Sequence, residues 1–129
     1  MKLQYRNQAF GLEAKPVRLF AKVTIGASGA PTLVAASSKG ITSIVRNSAG
    51  DYTVTFGDSF VRPLIADAIV QNATGIAVSP TVGIKTAGTN VNTTGAGTVE
   101  IVFSTGGVAT DPANGDTIFF EFTCTDSNL

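Results

Sequence analysis

The stretch Lys39-Gly-Ile-Thr-Ser-Ile-Val-Arg-Asn-Ser-Ala-Gly-Asp-Tyr-Thr-Val-Thr-Phe56 decides the fold class. Two short β-type runs, 41–46 and 52–56, flank the polar connector Asn47-Ser-Ala-Gly-Asp51. Tyr52, Val54 and Phe56 alternate with Thr53 and Thr55, the period-2 pattern of a strand with one buried face. The connector supplies the Asn, Gly and Asp of tight turns, residues that tolerate positive φ or bond their own backbone. The stretch reads as a β-hairpin of an antiparallel protein and carries no chemistry of its own.

The same alternation recurs on both sides of it. In 17–25, Val17, Leu19, Ala21, Val23 and Ile25 share one face, while Arg18, Phe20, Lys22 and Thr24 share the other. A turn segment at 26–31 leads to a short strand over 32–36. After Phe56 the run 60–71 is strand-like, with Ala66, Ala68 and Val70 alternating with Ile65, Asp67 and Ile69. Pro63 cannot donate a ladder hydrogen bond, which places that run's start at an edge or a bulge. Residues 76–84 return as a strand broken near Pro80, and residues 85–97 form the longest polar, Gly-rich loop. Strands over 98–104 and 117–125 flank a second loop, 105–116. In the last strand Ile118, Phe120, Phe122 and Cys124 share one face, leaving Phe119 on the nominally wet side with Glu121 and Thr123 as a candidate contact residue. About eight short strands with frequent turn signals and no helical period predict an all-β fold, a single antiparallel β-sandwich of jelly-roll-like style.

Composition bounds what such a sandwich can do. A chain of 129 residues is one domain's length and is able to build a core without metal or disulfide. Charged residues are only 14% of the chain, so the surface is dominated by Thr, Ser, Asn, Gly and Ala, which suits packing against neighbours. Nine basic residues balance nine acidic ones without clustering, so there is no basic face for nucleic acid. Histidine is absent, which removes the commonest general base and metal ligand. Cys124 is the single cysteine, without a His to make its thiolate, and reads as a small buried hydrophobe. Gly95-Ala-Gly97 and Gly106-Gly107 lack the Lys-Ser/Thr of a phosphate loop. The loop Asp111-Pro-Ala-Asn-Gly-Asp116 offers oxygen ligands for a hard cation, but its spacing does not match the known calcium-loop pattern and turn formation explains those residues without a metal. No catalytic residues, metal or cofactor are expected, and the chain is read as a non-enzyme. No apolar run is long enough for a signal-peptide core or a bilayer span, so a soluble protein made in a cytoplasm is expected, without a membrane partner.

Residues 1–15 read as an extended N-terminal arm preceding the sandwich domain of residues 16–129. The arm carries Leu3, Tyr5, Phe10 and Leu12 among Lys2, Arg6, Asn7, Gln8, Glu13 and Lys15. Its apolar side chains either cap their own domain or pack on another subunit or protein, because an ordered terminus needs a surface to hold it.

The hairpin 40–56, the runs Val82-Gly-Ile-Lys-Thr-Ala-Gly-Thr-Asn90 and Gly97-Thr-Val-Glu-Ile-Val-Phe103, and the closing Asp116-Thr-Ile-Phe-Phe-Glu-Phe122 resemble virion β-sandwich proteins of tailed bacteriophages. The likeness covers roughly residues 39–124 as turn-and-strand wording and includes no catalytic signature. Two kinds of protein share this style, capsid decoration (cement) proteins and fibre domains, and both imply homotrimers. The chain has no coiled-coil, collagen-like or other shaft pattern and does have an apolar arm, which favours the decoration role. That resemblance implies a structural virion protein made in the bacterial cytoplasm and seated on the capsid surface, bridging major capsid proteins. Leu3, Tyr5, Arg6, Phe10, Leu12 and Phe119 are then the candidate partner-binding residues. The alternative is a fibre-type receptor- or glycan-binding module using loops 85–97 and 105–116.

Overall fold

The computed structural model describes residues 16–60, 62–73, 80–90 and 96–125. Nine strands lie among them: β1 Pro16–Ile25, β2 Pro31–Leu33, β3 Ile41–Ser48, β4 Asp51–Phe56, β5 Arg62–Gln71, β6 Thr81–Asn90, β7 Thr98–Thr105, β8 Val108–Ala109 and β9 Thr117–Thr125. They form two antiparallel sheets, one ordered β2-β1-β9-β5 and the other β3-β4-β7-β6, with β8 added on β7. The sheets pack face to face as a β-sandwich, the fold class expected from the alternating runs.

The core follows from that alternation. Leu19, Ala21, Val23 and Ile25 of β1 and Ile118, Phe120, Phe122 and Cys124 of β9 are buried from one side. Tyr52, Val54 and Phe56 of β4 and Val99, Ile101 and Phe103 of β7 meet them from the other. These four strands are the inner pairs of their sheets, so the core lies between the two sheet centres. Aromatic rings link the layers: Phe56 of β4 lies edge-on to Phe122 of β9 at 5.2 Å, and Phe103 of β7 lies 6.5 Å from Phe120. Such edge-to-face pairs add to the stabilisation gained from area burial.

The hairpin that decided the class is β3–β4, with Ala49 and Gly50 as its turn. Both strands run closer to the turn than the sequence suggests. Gly50 takes φ +70°, the left-handed region that glycine enters without steric cost. Its carbonyl accepts the Phe103 N–H at 2.7 Å, which ties the turn to β7. Pro63 stands in an edge strand beside a register shift, as its missing N–H requires.

Three segments differ from the sequence expectation. The short strand expected over 32–36 stops at Leu33, and a 3-10 turn occupies Ala35–Ser37. Residues 85–90, expected to begin a long loop, instead extend β6 to Asn90 across a register shift. The side chain of Thr89 supports this irregular stretch by donating to the Lys85 carbonyl and accepting the Glu100 N–H. The loop at 105–116 contains β8 and is therefore partly sheet. The arm, residues 1–15, lies outside the described residues, as does most of the expected start of β6.

Candidate functional site

Among the described residues, the groups able to carry chemistry are used to hold loops. Asp111 accepts from Arg46 through Nε at 3.0 Å and Nη2 at 2.8 Å, and from the Gly50 N–H at 2.8 Å. The buried Tyr52 hydroxyl lies 3.0 Å from the same carboxylate and 2.8 Å from the Gly29 carbonyl, so one phenolic proton serves both acceptors. The Arg46 guanidinium leads the contacts that hold the Asp111 carboxyl below its usual range. Burial, helped by the neighbouring Asp111, pushes the Tyr52 phenol well above its ordinary value. A carboxylate fixed in its charged form and a phenol fixed in its neutral form cannot exchange protons near neutral pH. This cluster locks the β3–β4 turn to the loop before β9.

Asp116, the other carboxylate of the Asp111–Asp116 loop, is buried and does a separate job. It accepts the backbone N–H groups of Ala73 at 3.0 Å and Ala113 at 2.9 Å. The loop expected as a possible cation site therefore spends its two carboxylates in two different places. No group of three or more potential metal-ligating side chains is found among the described residues. Lys85 pairs with Asp51 and Glu100, each at 3.1 Å, on the outer face of β4, β6 and β7. Cys124 is fully buried between the sheets, and burial raises its thiol to about 11, so little thiolate exists at neutral pH.

The outer face of the β2-β1-β9-β5 sheet is different. Antiparallel register sets Lys22, Phe119 and Ile69 side by side in one row and Phe20, Glu121 and Asp67 in the next. Phe119 and Phe20 are each 43% exposed and Ile69 is 64% exposed, large apolar residues held in water on three adjacent strands. Around them is a polar rim. Arg18 pairs with Glu121 at 3.0 Å, and the Lys22 ammonium lies 5.9 Å from the Phe119 ring centre. The three side chains, with Ser37, Asp67 and Glu121, line a shallow hollow of about 210 Å³. An exposed apolar cluster with a polar rim is the anatomy of a contact surface rather than of a catalytic cleft.

Of the residues singled out in the sequence, Phe119 faces outward and sits in the middle of this patch. Leu3, Tyr5, Arg6, Phe10 and Leu12 lie outside the described residues. Sequence reasoning missed Phe20 and Ile69 as members of the patch. Alternation placed Phe20 on the wet face of its strand, but only the strand order β1-β9-β5 brings it beside Phe119 and Ile69. No family model, curated protein or solved structure matches the chain. No helix among the described residues is long and apolar enough to cross a membrane.

Proposed function

We propose that this chain is a structural virion protein, a decoration protein that stabilises a tailed-phage head by bridging its major capsid proteins as a homotrimer. The observation that carries the reading is the Phe20–Ile69–Phe119 patch, on a low-charge sandwich whose buried and half-buried carboxylates serve its own loops. In this reading the patch is an assembly face. Phe119 packs on a neighbouring subunit there, and the arm adds Leu3, Tyr5, Phe10 and Leu12 as apolar anchors with Arg6 as a charged one. At ~25 cal/mol per Å² of buried apolar area, a few such anchors supply several kcal/mol per copy before ordering costs. Three linked copies make release rare, because the second and third contacts are effectively intramolecular.

The receptor- or glycan-binding alternative draws less support. The loop it relies on at 105–116 turns Asp111 and Asp116 inward, and residues 85–90 of the other are strand. The reading is tested by deleting residues 1–15 and measuring co-sedimentation with expanded phage heads. The truncated chain is expected to stay folded by circular dichroism and to lose head binding at least tenfold, a loss of about 1.4 kcal/mol or more. Retained binding would remove the arm from the mechanism. Full-length protein that ignores heads but binds bacterial cells would replace the whole reading by the alternative.

A further inference from the structure

The first sheet ends at β5, and among the described residues nothing pairs with its outer edge. At 10 residues this edge is long for a strand left without a neighbour. The second sheet ends at β6 on the same side, so among the described residues the sandwich is open along the β5–β6 seam. Ile84 shows the opening directly: it faces inward opposite Ile101 yet remains 49% exposed. The inner face of β5 there consists of Ala66 and Ala68, too small to close the gap, and a cleft of about 90 Å³ lies between them and Val82, Ile84 and Ile101.

We propose that residues 2–6 of a second copy of this chain close the seam as an added strand, antiparallel to β5. The inference rests on the self-association in the reading above and names the contact that performs it. Lys2-Leu3-Gln4-Tyr5-Arg6 alternates like a strand, with Leu3 and Tyr5 on one face and three polar side chains on the other. Charge sets the register. Asp67 faces outward at the middle of the β5 edge, opposite Glu121, whose charge is already taken by Arg18. Asp67 accepts only its neighbour Ala68's N–H and has no ion pair among the described residues. Placing Arg6 opposite Asp67 sets Tyr5 opposite Ala68 and Leu3 opposite Val70. Tyr5, the longer of the two, then lies over Ala68 at the cleft, and Leu3 extends the apolar cover along the seam to Val70.

Other occupants fit less well. Two β5 edges paired with Asp67 at the two-fold centre would set Asp67 against Asp67, a like-charge contact that disfavours that register. Strand addition by the chain's own arm would close the seam but leave Ile69 and Phe119 in water beside it. In the assembly proposed above a neighbouring copy covers that patch, and the same neighbour is the donor of the added strand. Residues 7–15 span up to ~30 Å when extended, which suffices for exchange between adjacent copies.

The test needs no phage heads, so its failure is separate from a failure of head binding. A tagged chain carrying Arg6→Cys is mixed with an untagged chain carrying Asp67→Cys, then mildly oxidised and run on a non-reducing denaturing gel. Residues opposite each other in an antiparallel pair have Cα atoms ~4.5–5.5 Å apart, within disulfide range. The native Cys124 is buried and does not compete. A mixed disulfide between the two chains is the expected result. Its absence, or an intrachain disulfide in the doubly substituted chain that excludes the intermolecular one, overturns the proposal. Sedimentation of charge variants gives a second readout. Asp67→Arg should weaken self-association about tenfold, and adding Arg6→Asp should restore it. Failure of that rescue also overturns the proposal.

Discussion

Phe122→Ala is expected to lower the unfolding free energy by about 3–5 kcal/mol. The side chain is fully buried on β9 and touches both layers. It lies edge-on to Phe56 of the opposite sheet at 5.2 Å and stacks on Phe120 of its own strand at 5.9 Å. Its registered neighbours are Leu19 on β1 and Ala66 on β5, and Ala66 is too small to fill the void. Both transfer and cavity costs therefore fall due. A domain of this size has only about 5–15 kcal/mol in total, so the change removes a large share of it. Urea unfolding should show a lower midpoint with an unchanged slope. A loss under about 1 kcal/mol would mean that the two sheets do not share this core.

Gly50→Ala is expected to cost about 2–4 kcal/mol, although alanine is smaller than almost any other replacement. At φ +70° a side chain already costs conformational energy. The added Cβ would also fall on the Phe103 carbonyl and the Thr110 N–H, backbone atoms that cannot rotate away. Moving the turn to relieve the clash would break the Phe103–Gly50 hydrogen bond and withdraw the Gly50 N–H from Asp111. Gly106 is the control. It too has positive φ, at +58°, but an added Cβ there meets nothing within 4 Å. Gly106→Ala should therefore cost only about 1–2 kcal/mol. Equal losses at the two positions, read by the same urea titration, would rule out the clash with β7.

These two sites show what was legible in the sequence and what was not. Phe122 belongs to a period-2 run, and period alone placed it in a core. The same holds for β1, β4 and β7, where buried apolar residues recur at every second position and the outward ones are polar apart from Phe20 and Val102. Lys85 to Asn90 defeated that reasoning because Lys, Ala, Gly and Asn are poor strand formers. They are sheet because β7 pairs with Lys85 and Asn90 at the two ends and Thr89 bridges the irregular stretch between with its side chain. Gly50 was readable as a turn residue. Its partner Asp111, 61 residues further on, was not, because nothing local signals that a carboxylate will cap a distant turn. The candidate site divides in the same way. Phe119 stood out by breaking the polar face of its own strand. Phe20 and Ile69 joined it only through the order β1-β9-β5, which brings together strands far apart in sequence. The open β5–β6 seam is a property of strand order too, invisible in either strand alone.

That strand order gives the molecule its one apolar surface of several adjacent strands among the described residues, and the proposed role in an assembled shell depends on it. The most direct measurement is co-sedimentation of the full-length chain with expanded phage heads, comparing wild type with Ile69→Lys and Phe119→Lys combined. Both side chains face solvent, so the variant should keep the wild-type unfolding midpoint. Wild type pelleting with the heads while the folded variant stays in the supernatant is the expected result. Equal pelleting of the two proteins would contradict the assembly-face role of the patch.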